Sequence, residues 1–106
     1  KIQNYHTSLF AKFAQRLANT ADGDGSLLDH SIILFGSNMG NSDAHEADLL
    51  PEALLGRGGG LKGNQHLHYE RNTPLANLLV TMLDRAGVPA EELEKFGDST
   101  GPFSEV

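Results

Sequence analysis

The residues best suited to chemistry lie in one polar stretch of the sequence. Asp43, His45 and Asp48 place two carboxylates and an imidazole within six positions. Zinc, manganese and related divalent metals accept these groups as ligands. We therefore treat Asp43, His45 and Asp48 as candidate metal ligands, with an ordinary solvated loop as the alternative.

The segment before this stretch predicts a buried strand. Residues 31–35 form a short apolar run with β-branched side chains, and Gly36 ends it. Such a run is typical of a strand covered on both faces, as in a parallel sheet. The polar residues that follow would leave the carboxyl end of that strand, where open α/β sheets bind ligands. Ser37 does not fit a nucleophile elbow, in which the serine stands third and a helix follows, so we interpret it as a loop residue.

Two further patterns have weaker functional interpretations. Gly58, Gly60 and Gly63 match the spacing of a dinucleotide-binding loop, but no helical pattern opens after them, so a glycine turn is the better interpretation. His66 and His68 would share one face of a strand and could clamp a metal ion. The polar face of an edge strand is the alternative.

The remaining pattern predicts two helices and three strands. Apolar residues recur at helical spacing over residues 4–19 and again over 74–86, where Gly87 ends the pattern. In the second helix the expected buried stripe comprises Leu75, Leu78, Leu79, Met82, Leu83 and Ala86. Strands are expected at 31–35, 52–55 and 66–69. We therefore expect one domain over residues 1–106, of α/β class, with a small, largely parallel sheet and flanking helices.

Composition limits the classes of partner. The chain has 106 residues, 39% of them hydrophobic, and 8 basic against 14 acidic residues give a net charge of −6. This acidity argues against nucleic acid and against an anionic membrane surface. The absence of cysteine excludes disulfides and thiolate metal sites. No apolar run approaches the roughly 18 residues of a membrane span, so we expect no membrane insertion.

Several segments together resemble one family. The chain resembles the carboxyl-terminal part of the uncharacterised bacterial proteins named for a His-x-x-Ser-His-His motif. The segments that carry the resemblance are Leu27-Leu28-Asp29, Gly36-Ser37-Asn38-Met39-Gly40, His45 with Leu49-Leu50-Pro51, Leu54-Leu55-Gly56, the stretch from Thr73 to Leu79, and Phe96-Gly97-Asp98-Ser99-Thr100-Gly101-Pro102. The resemblance implies a piece of a longer protein that is exported or periplasmic.

More distantly, the layout resembles the alkaline phosphatase and sulfatase superfamily. In that superfamily a buried strand leads into a turn such as Ser-Asp-His-Gly, whose Asp and His bind metal. Here Asn38 and Met39 stand at those positions, and His45 stands at the place of a downstream His. The resemblance thus adds Asn38, whose amide oxygen is a weaker ligand, to the candidate metal ligands. The resemblance implies an alkaline-phosphatase-like fragment of a metal-dependent phosphate or sulfate ester hydrolase. The alternative is a non-catalytic binding or structural domain that has lost the metal site.

A fragment of a larger sheet would also affect assembly. Such a piece leaves an unpaired strand edge and apolar helix faces, and edges of this kind pair with copies of themselves. We therefore expect self-association, and a small-molecule ester as partner only for a longer, complete protein.

Overall fold

A computed structural model describes all residues from 1 to 106. The chain forms three helices and four short strands. In order they are α1 (Ile2–Ala18), β1 (Ala21–Asp22), β2 (Gly25–Ser26), β3 (Ile33–Gly36), β4 (Glu52–Leu55), α2 (Leu75–Arg85) and α3 (Ala90–Leu93), with a 3-10 turn at Gly58–Gly60 before α2. Both predicted helices are present, with ends shifted by one or two residues. The strand expected at 66–69 does not form.

The short strands β1 and β2 make a hairpin directly after α1. Their two-residue turn begins at Gly23, whose φ of 58° is a left-handed conformation that suits glycine. Asp29 fixes the end of the hairpin, because its carboxylate accepts hydrogen bonds from the hydroxyl and the backbone N–H of Ser26. These two bonds lower the pKa of Asp29. The hairpin thus connects α1 to β3 by a rigid turn.

The prediction of a largely parallel sheet is wrong. Strand β3 pairs with β4 in antiparallel fashion, with Ile33 opposite Leu55 and Gly36 opposite Glu52, and each sheet has only two strands. The apolar run indicated burial on both faces, yet every residue of β3 keeps some exposure. The physical reason lies in the connection: residues 37–51 fold back on themselves as a long hairpin loop, so no crossover helix carries the chain to a parallel neighbour. An alkaline-phosphatase-like fragment with a parallel sheet is therefore also excluded as the fold.

Helix α2 packs through a face that the apolar pattern did not predict. Its buried residues are Ala76, Asn77, Val80 and Thr81, whereas the expected stripe is only partly buried and Ala86 is exposed. Hydrogen bonds explain the difference. The Asn77 side chain binds residues 99 and 100, and the Thr81 hydroxyl accepts from the N–H of Phe103 at 2.8 Å. The carboxyl-terminal segment is thereby held against the polar side of the helix.

The chain exposes much more surface than a compact domain. Its accessible surface is 7824 Å², and only 6 of 106 residues are buried. A compact monomer of 11.4 kDa would expose about 5,800 Å². The radius of gyration agrees, because it is 15.1 Å against about 13 Å for a compact chain of this length. None of the helices has the length and apolar character needed to cross a bilayer.

Candidate functional site

The polar loop between β3 and β4 is held closed at its base by close backbone approach. A Cβ on Gly40 would overlap the carbonyl oxygen of Asp48, so only glycine fits there. One step further along, Asn41 and Glu46 form an isolated antiparallel bridge, with the N–H of Glu46 donating to the Asn41 carbonyl at 3.0 Å. The loop is therefore a narrow hairpin that projects from the β3–β4 pair.

The tip of this hairpin carries two of the candidate ligands. The Asn41 side-chain oxygen accepts hydrogen bonds from the N–H of Asp43 at 3.1 Å and of Ala44 at 3.3 Å, which fixes a tight turn. His45 closes the turn with a φ of 55°, and Leu49 adopts a φ of 50° shortly after it. Non-glycine residues in this conformation carry backbone strain, most of all a leucine.

The loop does not bring the four candidates together as a metal site. Asn38, Asp43 and His45 are exposed, and Asp48 forms an ion pair with Arg71, whose Nε lies 3.2 Å from its carboxylate. Nowhere in the chain do three or more His, Asp or Glu side chains form a group that could hold a metal ion. A catalytic metal needs at least three protein ligands. Within these residues, His45 can supply one ligand to a site but cannot complete it.

Strand β4 begins with a carboxylate, Glu52, that sequence analysis did not single out. Glu52 lies opposite Gly36 and occupies the space that a Cβ there would need. Burial raises the pKa of Glu52, while a hydrogen bond from the backbone of Ser37 acts in the opposite direction. The Ser37 hydroxyl donates to the Met39 carbonyl at 2.9 Å, so it is engaged in its own turn. Because Glu52 is an ordinary strand residue in sequence, only the strand pairing reveals its position.

A second titratable cluster lies at the other end of the fold. His30 has one ring nitrogen 2.9 Å from Asp22 and the other 3.2 Å from Asp24. Both nitrogens can donate only when the ring is protonated. The hydrogen bond to Asp22 is the main reason why the pKa of His30 is raised. The sequence signal was the Asp-Gly-Asp-Gly hairpin, which turns both carboxylates toward the later histidine.

The closing Phe96–Pro102 segment has a structural role in this fold. Ser99 donates its hydroxyl to the Asn77 side-chain oxygen at 3.0 Å, and the N–H of Thr100 donates to the same oxygen at 2.8 Å. The Asn77 amide in turn donates to the Thr100 hydroxyl at 3.0 Å. These groups satisfy one another and leave no free nucleophile. His66 and His68, outside any strand, are both exposed.

Comparison with family models, with curated proteins and with solved structures finds no match for this chain. The family resemblance described above therefore stays a prediction.

Proposed function

We propose that this chain is a non-catalytic packing unit whose apolar faces are covered by self-association. One observation carries the proposal: the chain exposes about 2,000 Å² more than a compact monomer of its mass. A standard protein interface buries about 800 Å² on each partner, so the excess is large enough for one. Part of this surface is apolar, because large hydrophobic side chains such as Ile2, Tyr5 and Leu49 are exposed, and specific association would remove them from water.

The distribution of the exposed side chains supports the same proposal. Five large hydrophobic residues are more than 40% exposed, and four of them are on α1: Ile2, Tyr5, Leu9 and Phe13, with Leu49 in the loop. Scattered apolar residues need no explanation, but a contiguous stripe on one helix marks an interaction surface. A metal-dependent reaction has no comparable support, because no complete ligand group is present.

Analytical ultracentrifugation over a wide concentration range tests the proposal. We expect a dimer or larger assembly that dissociates on dilution. The test variant is Phe13→Ser, which replaces an exposed apolar side chain of α1 and should shift the assembly toward monomer. The matched control is Leu67→Ser, outside α1, which should not. A chain that stays monomeric at the highest soluble concentration would refute the proposal.

A second candidate is a contribution to a metal-dependent phosphate or sulfate ester hydrolase. The left-handed backbone at His45 and Leu49 favours it, because strained residues of this kind concentrate at functional sites. On this hypothesis His45 would supply one metal ligand, Asp43, Asp48 and Asn38 would support it, and the other ligands and the nucleophile would lie outside these residues.

Titration calorimetry with zinc tests the second candidate. We expect the chain alone to bind zinc weakly, no tighter than micromolar, and to hydrolyse no phosphate or sulfate ester. His45→Ala should weaken that binding further, while His66→Ala, an exposed histidine outside the loop, serves as the control. Unchanged zinc affinity in His45→Ala would exclude His45 as a ligand.

A further inference from the structure

Charge is divided unevenly between α1 and the rest of the chain. Residues 1–20 contain three basic residues, Lys1, Lys12 and Arg16, and no acidic residue. All 14 acidic residues lie in residues 22–105, together with the other five basic ones. The chain therefore combines a basic amphipathic helix, α1, with an acidic remainder, residues 21–106, which we call the acidic body.

The exposed apolar residues of α1 form one narrow stripe. Ile2, Tyr5, Leu9 and Phe13 are 73%, 62%, 46% and 49% exposed. At about 100° per residue these positions fall within a sector of about 80° on the helix. By the same arithmetic Lys12 lies at one border of the stripe, and Arg16 lies within its sector, one turn beyond Phe13. This is the pattern of a helix that binds a groove through apolar anchors at i, i+3, i+7 and i+11 with basic residues beside them.

Helix α1 receives little support from its own chain. Its contact with the body is the stacking of Phe10 on Phe35, with ring centroids 4.2 Å apart, together with bonds at its carboxyl end. The first nine residues are all exposed. The amino end has no side-chain cap and no acidic residue in its first turn. Because isolated helices of this length are marginal in water, covering the stripe would stabilise α1 itself.

The acidic body offers a groove of matching chemistry. A shallow groove of about 330 Å³ lies between α2, α3 and residues 99–102. Val80, Ala90 and Leu93 supply apolar side chains, and Asp84 and Glu94 supply carboxylates. None of the residues that line this groove lies on α1 of the same chain, so we consider a helix from another molecule as its occupant.

We propose that α1 of one copy binds the α2–α3 groove of a second copy. This inference rests on the self-association proposed above and assigns its two surfaces. The apolar stripe of α1 enters the groove, and Lys12 and Arg16 lie against Asp84 and Glu94. If both copies exchange α1 the contact closes as a two-fold dimer, whereas one-way donation would extend into a chain of molecules.

Charge reversal with rescue tests the pairing. The double variants Lys12→Glu/Arg16→Glu and Asp84→Lys/Glu94→Lys should each weaken self-association of the full chain by about tenfold or more, since like charges would then face each other. The combination of all four changes should restore most of the affinity. The control is Lys62→Glu, an exposed basic residue outside α1, which should change it little. Circular dichroism confirms that each variant is folded.

Each outcome bears on a different proposal. Loss in both double variants with rescue in the quadruple variant supports the α1–groove contact. Self-association that persists unchanged in both double variants overturns it but leaves the packing role standing, while a monomeric parent chain overturns both. Binding of α1 to vesicles of anionic phosphatidylglycerol, abolished by Lys12→Glu/Arg16→Glu with no change in assembly, would assign the basic stripe to a lipid surface and refute the inference.

Discussion

Replacing Asn77 with alanine should test the contact that holds the carboxyl-terminal segment in place. Asn77 is 5% exposed, and its side chain makes three hydrogen bonds to Ser99 and Thr100. The substitution removes all three bonds at once. It also leaves the backbone N–H of Thr100 without its protein acceptor, but Thr100 is exposed, so water can take the place of Asn77 there.

The expected cost follows from these contacts. Three hydrogen bonds at about 1 kcal/mol each give about 3 kcal/mol. Alanine is a better helix former than asparagine by roughly 0.5 kcal/mol, which offsets part of the loss. The free energy of unfolding should therefore fall by about 2–3 kcal/mol. The same change at Asn4, an exposed position within α1, should be neutral or slightly stabilising.

Urea denaturation followed by circular dichroism measures both variants. All samples need one fixed protein concentration, because association would shift apparent stability. We expect an unchanged m-value and a lower midpoint for Asn77→Ala only. A double-mutant cycle adds a second check. Ser99→Ala should destabilise the parent chain, but it should destabilise the Asn77→Ala variant much less, because its partner is already absent there. Ordinary surface changes alter the free energy of unfolding by no more than about 0.5 kcal/mol. If the free energies of unfolding of Asn77→Ala and Asn4→Ala differ by less than this, the hydrogen bonds of Asn77 do not hold the carboxyl-terminal segment in place.

Three smaller perturbations probe other parts of the fold. Gly40→Ala should destabilise the chain by about 1–3 kcal/mol and speed proteolysis within the loop, whereas Gly63→Ala, where a Cβ meets nothing within 4 Å, should do neither. NMR titration of His30 should give a pKa above 6.5; its stabilising contribution is complete below that value and is lost as pH rises through the folded-state pKa. Burial raises the pKa of Tyr69 to about 12, so absorbance titration of the Tyr5→Phe variant should show no tyrosinate at pH 10.

The helices could be predicted because their signals are local. The spacing of apolar residues in α1 needs only residues within one turn of each other, and Gly87 ends the α2 pattern in the immediate sequence. The φ of 90° at Gly87 agrees with that role. The type of each long element was therefore available from the sequence, and its ends were correct to within two residues.

The direction in which the strands pair could not be predicted from local signals in this way. The residues of β3 have the composition of a buried parallel strand, but direction depends on where the chain returns. Here Asn41 and Gly40 turn the connection back on itself, one through its side-chain hydrogen bonds and the other through close backbone approach. Neither signal changes the apolar pattern of the strand. An analysis of that pattern therefore predicts parallel pairing for β3, whereas the strand pairs in antiparallel fashion with β4.

The sequence predicted the loop that contains the candidate ligands but not the geometry of that loop. Residue type correctly indicated a polar loop after β3, which contains all four candidate ligands. The distances could not be predicted, because they depend on the ion pair between Asp48 and Arg71 and on the left-handed backbone at His45. Glu52 and the His30 cluster were missed for the same reason: each depends on a residue brought near by a turn rather than by spacing along one element.

The burial of α2 links these results to the proposed assembly. A pattern analysis expects the leucine side of α2 to be covered, yet Thr81, Val80 and Asn77 are the residues most completely covered, and Leu79 stays partly exposed. Hydrogen bonds decide this, because the carboxyl-terminal segment must pair its N–H groups and finds acceptors only on the polar side of the helix. The apolar pattern nevertheless encodes burial, as it does on α1. On the proposed self-association, a second molecule would cover the apolar stripe of α1, and its groove would present Val80 and Asp84 of α2 to that stripe.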